Sequence, residues 1–386
     1  MPEWKNFDTL PVYKKLQSHK GQFDLAKAMS GEEGASRVAA YQVPMTNGLV
    51  YNYAAKAVDE DVLRDLAELA VEAGLIEKYR SLYNGDVVNT GEKRLVLHQL
   101  TRGQLGDPVV VNGVDKREFY VREQKKAALF ASKVHSGEIV NEKGETFTTA
   151  VQIGIGGSDL GPRAMYLALE NWAKANGCFR MGARFISNVD PDDAASVLKD
   201  IDLSRSLFIL VSKSGTTLET LTNETFVKET LAKAGLDASR HMVAVTSETS
   251  PLAHSSEYLE AFFMDDYIGG RYSSTSCVGG VILSLAFGAE IFQRFLIGAA
   301  EQDRLACEPD PLKNLDMLDA LIGVYERNVL GYPYTAVLPY SQALSRFPTS
   351  PDLESRIQPF GKSISSIVYV VPAGKSKISI VSPAIA

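Results

Sequence analysis

Cysteine is scarce in this chain. Cys178, Cys277 and Cys307 are the only three, far apart and odd in number. That excludes a disulfide framework and the paired spacing of a structural zinc site, and it suits a reducing cytoplasm. The five histidines, His19, His98, His135, His241 and His254, show no metal-ligand spacing, so no metal is expected. His98 follows the apolar run Leu95-Val96-Leu97 and reads as a packed core residue rather than a base. No uncharged apolar run reaches the ~20 residues of a membrane span. The nearest, Val278 to Phe295, is interrupted by Glu290 and Gln293 and reads as a buried helix. Met1-Pro2-Glu3-Trp4-Lys5 lacks the apolar core of a signal peptide. Positive charge is not in excess: the formal net charge is -7. That argues against nucleic acid or an anionic membrane as a partner, so an anionic substrate must be held by local groups. Internal repeats and low-complexity tracts are absent too.

What is present is the composition of a soluble globular protein, 45% hydrophobic and 23% charged over 386 residues. That length exceeds one ordinary core, so two domains are expected. Residues 1–115 read as a helical region with irregular joins, and residues 301–330 as a connecting helix over Pro311 to Asn328. Asp59 to Lys78 has the spacing of one amphipathic helix, and Arg117 to Val134 of another. Between them, Gly103 to Gly113 reads as a loop. From residue 116 to 300 short apolar runs alternate with helical patterns. The runs are Ala150–Ile155, Arg184–Val189, Leu207–Val211 and His241–Val245, with Phe262–Met264 as a fifth strand end. That alternation predicts an α/β fold with a parallel sheet and helices on both faces. Tyr334–Leu338 begins a second, incomplete α/β unit over residues 331–386.

Two strand-to-helix turns carry small residues. Gly154-Ile155-Gly156-Gly157-Ser158 follows one run, and Ser212-Lys213-Ser214-Gly215-Thr216-Thr217 follows another. The first N–H groups of a helix have no partners inside it, so such a turn is suited to an anion. Thr216 and Glu219 have capping-box spacing. Open α/β sheets bind ligands at the carboxyl ends of their strands, which makes a phosphate monoester the expected ligand. Neither turn is a Walker A loop, and the first lacks the third glycine of a dinucleotide fingerprint. Lys213 is the one cation in its turn, with its backbone N–H favoured over its ammonium. Arg271, set by Gly269-Gly270, offers a fixed fork of donors to an oxygen anion. Its other reading is an ion pair with Asp265 or Asp266.

Ile153-Gly154-Ile155-Gly156-Gly157-Ser158-Asp159-Leu160-Gly161-Pro162 closely resembles a signature of the glucose-6-phosphate isomerase family. Ser212 to Thr220, running on to Thr222-Asn223, resembles a second, and Gly269-Gly270-Arg271-Tyr272-Ser273 a third. Ser187-Asn188-Val189-Asp190 and Leu338-Pro339-Tyr340-Ser341 are similar to further family segments. The resemblance implies two sugar-isomerase (SIS) domains and cofactor-free interconversion of glucose 6-phosphate and fructose 6-phosphate. It implies that Ser212, Ser214, Thr217 and the N–H of Lys213 hold the phosphate. Gly157 and Ser158 would line the sugar, and Arg271 would steady the enediolate. It also implies a homodimer. The contrasting reading is a non-catalytic sugar-phosphate-binding protein on the same fold.

The family's base is a glutamate after Phe-Pro. Here Phe347-Pro348 is followed by two competing alignments. Asp352-Leu353-Glu354-Ser355 matches by letters and makes Glu354 the base. Counting back from Gly361-Lys362-Ser363 puts Gln358 in its place instead. A loop carboxylate is the plain reading of Glu354. Beyond Ser366 the chain departs from the family, and Ile367–Gly374 and Ile378–Val381 read as hairpin-like segments. A truncated or frame-shifted product, ill ordered after Pro348, is the expectation that follows.

Overall fold

A computed structural model describes residues 5–89, 91–333 and 338–346, and the backbone of residues 369–373 and 377–381. The chain divides into two compact units. One takes residues 1–88 and 298–348 together with 353–386, and the other takes residues 89–297 together with 349–352. Residues 89–115, which the sequence groups with the helices before them, belong with the sheet. Leu97, Leu100 and Val109 are buried in its core, which explains the grouping.

In the first unit, helices Pro11–Ser18, Glu60–Glu72 and Leu315–Val324 bury Leu16, Leu66, Leu69 and Ile322 against one another. The single helix expected over Asp59 to Lys78 is two. Glu60–Glu72 ends at Gly74, in the left-handed region at φ +60°, and Leu75–Tyr83 begins there. Glycine adopts that conformation without a Cβ clash, while the apolar spacing continues across the break and hides it. The helix expected over Pro311 to Asn328 starts later, at Leu315, where Asn314 caps it by accepting the Met317 N–H, and it ends in a π turn, Tyr325–Leu330. A buried ion pair, Lys56 Nζ to Glu326 Oε2 at 2.7 Å, ties the 53–58 segment to that turn. Strands Gln42–Pro44 and Val50–Asn52 pair antiparallel. Tyr369–Ala373 and Lys377–Val381 also pair antiparallel, as the hairpin-like pattern predicts. The expected strand Tyr334–Leu338 lies outside the described residues except for Leu338.

The second unit is an α/β sandwich. Its elements run β1 Thr149–Ile153, α1 Leu160–Ala175, β2 Gly182–Ile186, α2 Pro191–Lys199, β3 Ser206–Val211, α3 Leu218–Lys233, β4 Met242–Thr246, β5 Ala261–Phe263 and α4 Cys277–Phe287. The five strands form one parallel sheet in the order β2-β1-β3-β4-β5. Every residue of β3 is buried, as expected for a strand covered on both faces. Ala150, Leu207, Ile209 and Val243 face a core shared with α1, α4 and the long helix Lys116–Ser136. Val151, Ile153, Phe208 and Leu210 face α2 and α3 through Ala194, Leu198, Val227 and Leu231. The helices therefore cover both faces. The loop expected over Gly103 to Gly113 holds a short strand, Val110–Val111, paired with Val114–Asp115. All eleven residues of α4 are buried. Among the described residues no helix is long and apolar enough to cross a membrane.

Candidate active site

The strand order decides where the two turns lie. The chain leaves β1 toward β2 on one side, then returns to β3 on the other. The order of connection therefore reverses between β1 and β3, the kind of switch point at which open parallel sheets take ligands at the carboxyl ends of their strands. The glycine-rich turn leaves β1, and the hydroxyl-rich turn leaves β3, so both lie at that switch point.

The turn after β3 is built by its own hydroxyls. Gly215 lies at φ +67° and donates its N–H to Ser212 Oγ at 3.1 Å. Ser212 Oγ lies 3.2 Å from Thr217 Oγ1 as donor. The Thr216 N–H and hydroxyl both turn to Ser214 Oγ, at 3.2 and 2.9 Å. Thr246 Oγ1 donates to Ser212 O at 2.8 Å and fastens the turn to β4. The capping box is displaced: Thr217, not Thr216, is the N-cap of α3, and it makes no side-chain cap bond. Thr216 is occupied within the turn, which is why the spacing misleads. By helix geometry the N–H groups of the first turn of α3 have no carbonyl partner within the helix. The Lys213 ammonium stands 3.9 Å from Asp266.

The turn after β1 is a short 3-10 stretch, Gly156–Ser158. Gln152, in the middle of β1, donates to Ser158 O at 2.6 Å and holds the turn from below. The third segment, Gly270–Thr275, packs directly on it. A Cβ at Gly157 would meet Gly270 O at 2.1 Å. Ser273 Oγ donates to Gly270 O at 2.7 Å and lies 3.5 Å from Gly157 O. Arg271 therefore rises, partly buried, from backbone that rests on the Gly157 turn. The two acidic residues of its alternative reading make contacts of their own. Asp265 accepts from Tyr120 Oη at 2.8 Å and pairs with Lys116, and Asp266 also stands 3.6 Å from Arg94. Beyond β2, Arg163 bridges Asp159 Oδ1 and Ser187 Oγ, and Asn223 donates to Asn188 O at 2.9 Å. Those bonds join the family-like segment Ser187–Asp190 to the same strand ends.

The structure thus brings Gly157, Ser158 and Arg271 into one packed cluster, beside the turn carrying Ser212, Lys213, Ser214 and Thr217. Glu354 and Gln358 lie outside the described residues. Two residues escaped the sequence reading of the site. Gln152 is polar in the centre of a buried strand, and that misfit was its signal. His98 packs against Gly269, where Nε2 accepts the Gly269 N–H at 2.7 Å, and its ring meets Tyr272 edge-on. Burial pushes its imidazole down to about 4 against the raising effect of its contact with the Gly269 main chain, and the charges of Arg102 and Lys213 act with burial.

These features accompany a close sequence match. The sequence model described as phosphoglucose isomerase matches residues 52–375. Glucose-6-phosphate isomerase of Treponema denticola is 56% identical over 373 residues, covering 94% of this chain and 70% of that protein. That of Treponema pallidum subsp. pallidum is 53% identical over 369 residues, covering 94% and 68%. A crystal structure of a glucose-6-phosphate isomerase from Chlamydia trachomatis matches with a TM-score of 0.79 at 39% identity, covering 90% of this chain and 65% of that one. The chain spans about two thirds of the length of these relatives. With its motifs in order and the match running through both units, the chain belongs to the phosphoglucose isomerase family.

Proposed function

We propose that this chain grips a hexose 6-phosphate and interconverts glucose 6-phosphate and fructose 6-phosphate through an enediolate. The observation that carries this reading is that the two turns leave the neighbouring parallel strands β1 and β3 at the switch point of the sheet. Ser212, Ser214 and Thr217, the Lys213 N–H and the first turn of α3 meet the phosphate. Gly157 and Ser158 line the sugar.

The reaction needs no outside oxidant. A proton leaves C2 and one returns at C1, while the carbonyl passes from C1 to C2. Negative charge gathers on the C1 and C2 oxygens in between, and a fixed guanidinium there lowers the barrier most. Arg271 takes that role. Glu354 is proposed as the base that moves the proton. The proposal extends to a homodimer working in the cytoplasm, as the family likeness implies. Sedimentation of the purified chain checks the dimer.

A coupled assay that consumes glucose 6-phosphate formed from fructose 6-phosphate tests the activity. Turnover that falls sharply in Arg271→Ala supports it. Binding of 6-phosphogluconate with no turnover in the unaltered chain would remove the isomerase reading and leave a sugar-phosphate-binding protein.

A further inference from the structure

The segment that carries Arg271 is stitched to a second segment far away in sequence. Leu97 N–H donates to Tyr267 O at 3.1 Å. Gly269 N–H donates to His98 Nε2 at 2.7 Å. Thr101 Oγ1 and Thr275 Oγ1 share a hydrogen bond at 2.6 Å. Gln124 closes the seam by donating to Thr101 O at 2.6 Å. Three stitches therefore run in order along both segments. The outer two use main chain and hydroxyls. The middle one depends on a single ring nitrogen, two residues before Arg271.

We propose that His98 is a positioning residue for the isomerisation: as acceptor of the Gly269 N–H it fixes the start of the Gly270–Thr275 turn and so aims the Arg271 guanidinium. This rests on the isomerase reading for the role of Arg271, and on the hydrogen-bond geometry for the rest. The geometry also sets the tautomer. Nε2 lies 3.3 Å from Gly269 O, longer than the bond to the N–H, and it cannot accept from one group and donate to the other at once. The shorter contact makes Nε2 the acceptor and leaves the ring proton on Nδ1. The low pKa, pressed down to about 4 by burial, keeps Nε2 free to accept across the neutral range. Two further contacts locate the ring. Its plane meets that of Tyr272 at 72°, and a Cβ at Gly269 would stand 3.4 Å from Nε2. Both residues flanking Gly270-Arg271 thus pack on one imidazole. A residue that merely filled space there would need no acceptor at that atom.

Two experiments decide it. In full-length protein labelled with nitrogen-15 histidine, the His98 ring should show Nδ1 protonated and Nε2 bare from neutral pH down to about 5. A protonated Nε2, or a ring that titrates in the ordinary range, would overturn the bond and the proposal with it. The second uses His98→Leu, which keeps bulk without an acceptor, and His98→Gln, whose Oε1 can reach the Gly269 N–H. The leucine variant should lose about tenfold or more in kcat with KM moved less than about threefold. The glutamine variant should recover most of that loss. Wild-type kcat in the leucine variant, or a glutamine variant no better than leucine when both melt like wild type, would overturn the proposal. If the unaltered chain shows no turnover, the isomerase reading fails first, and affinity becomes the readout. A sugar-phosphate hydroxamate, an anionic enediolate mimic, should then bind about tenfold more weakly to the leucine variant while inorganic phosphate binds equally. Equal loss of both would place His98 outside the aiming of Arg271.

Discussion

Gly157 and Gly270 approach so closely that a Cβ on the first would stand 2.1 Å from the carbonyl oxygen of the second. Main chain meets main chain there, so no side-chain rotation can relieve an added methyl group. Gly157→Ala must push the Arg271 segment away, at a cost of about 1–3 kcal/mol. A Cβ on Gly270 meets nothing within 4 Å, so Gly270→Ala should melt like wild type. Calorimetry of the two variants checks the asymmetry. Equal melting temperatures would remove the packing argument.

Ser212 has two tasks, and Thr217 is tied to one of them. Ser212 Oγ accepts the Gly215 N–H and also stands against Thr217 Oγ1. Thr217→Ala should weaken sugar-phosphate affinity by about 1–3 kcal/mol with little change in melting temperature. Ser212→Ala should weaken affinity by a similar amount and also lower the melting temperature slightly, because the buried Gly215 N–H then keeps only its bond to Ser212 O at 3.2 Å. Titration calorimetry with fructose 6-phosphate measures the first effect, and thermal unfolding separates the second. Unchanged affinity in both variants would take the phosphate away from this turn.

Arg271 is assigned to charge that exists only during reaction. Its removal should therefore act on rate and spare the ground state. Arg271→Ala should lower kcat by about 10²–10³ with little effect on the affinity for inorganic phosphate. Arg271→Lys should recover only part of the loss, because an ammonium lacks the planar fork. Steady-state kinetics with a parallel phosphate titration distinguishes this from loss of binding.

At the opposite end of the sheet, His241 is wholly buried between two acceptors. Its Nε2 lies 2.8 Å from Glu142 Oε2, and its Nδ1 lies 2.9 Å from Ser206 O. Burial would raise the Glu142 carboxyl, but hydrogen bonds from main chain and from His241 outweigh it and hold it below the ordinary 4.5. A carboxylate depressed in the folded state stabilises above its unfolded pKa and loses that contribution as pH falls through the folded value. The wild-type melting temperature should therefore drop faster than that of Glu142→Gln as pH falls below about 4.5. Parallel curves in that range would show that the pair contributes nothing.

Much of the sheet was legible because its signals are local. A run such as Leu207 to Val211 is apolar throughout, as a strand buried on both faces requires, and it ends in residues that only a turn accommodates. The observed strands fall within a few residues of the runs that predict them. What escaped depends on distant partners or on one backbone angle. The break at Gly74 is invisible to a periodicity that continues past it. Thr216 has the right spacing for a cap, yet its hydroxyl is taken by Ser214, and the helix starts one residue later. His98 looked like core because its sequence neighbours are core. Its partner, Gly269, is 171 positions away, and no local pattern encodes that distance.

The proposed hold on the phosphoryl group has a consequence for how such a protein changes over time. The part of that proposed grip made of amide hydrogens at the start of α3 belongs to the helix itself, not to any particular side chain. Substitutions that erase hydroxyls one at a time would weaken the handle without deleting it. On the same proposal the sugar at the other end meets different atoms, on the β1 turn and the arginine that leans on it. Descendants of this scaffold can therefore exchange one phosphorylated sugar for another, or give up chemistry altogether, and still hold the same end of the molecule.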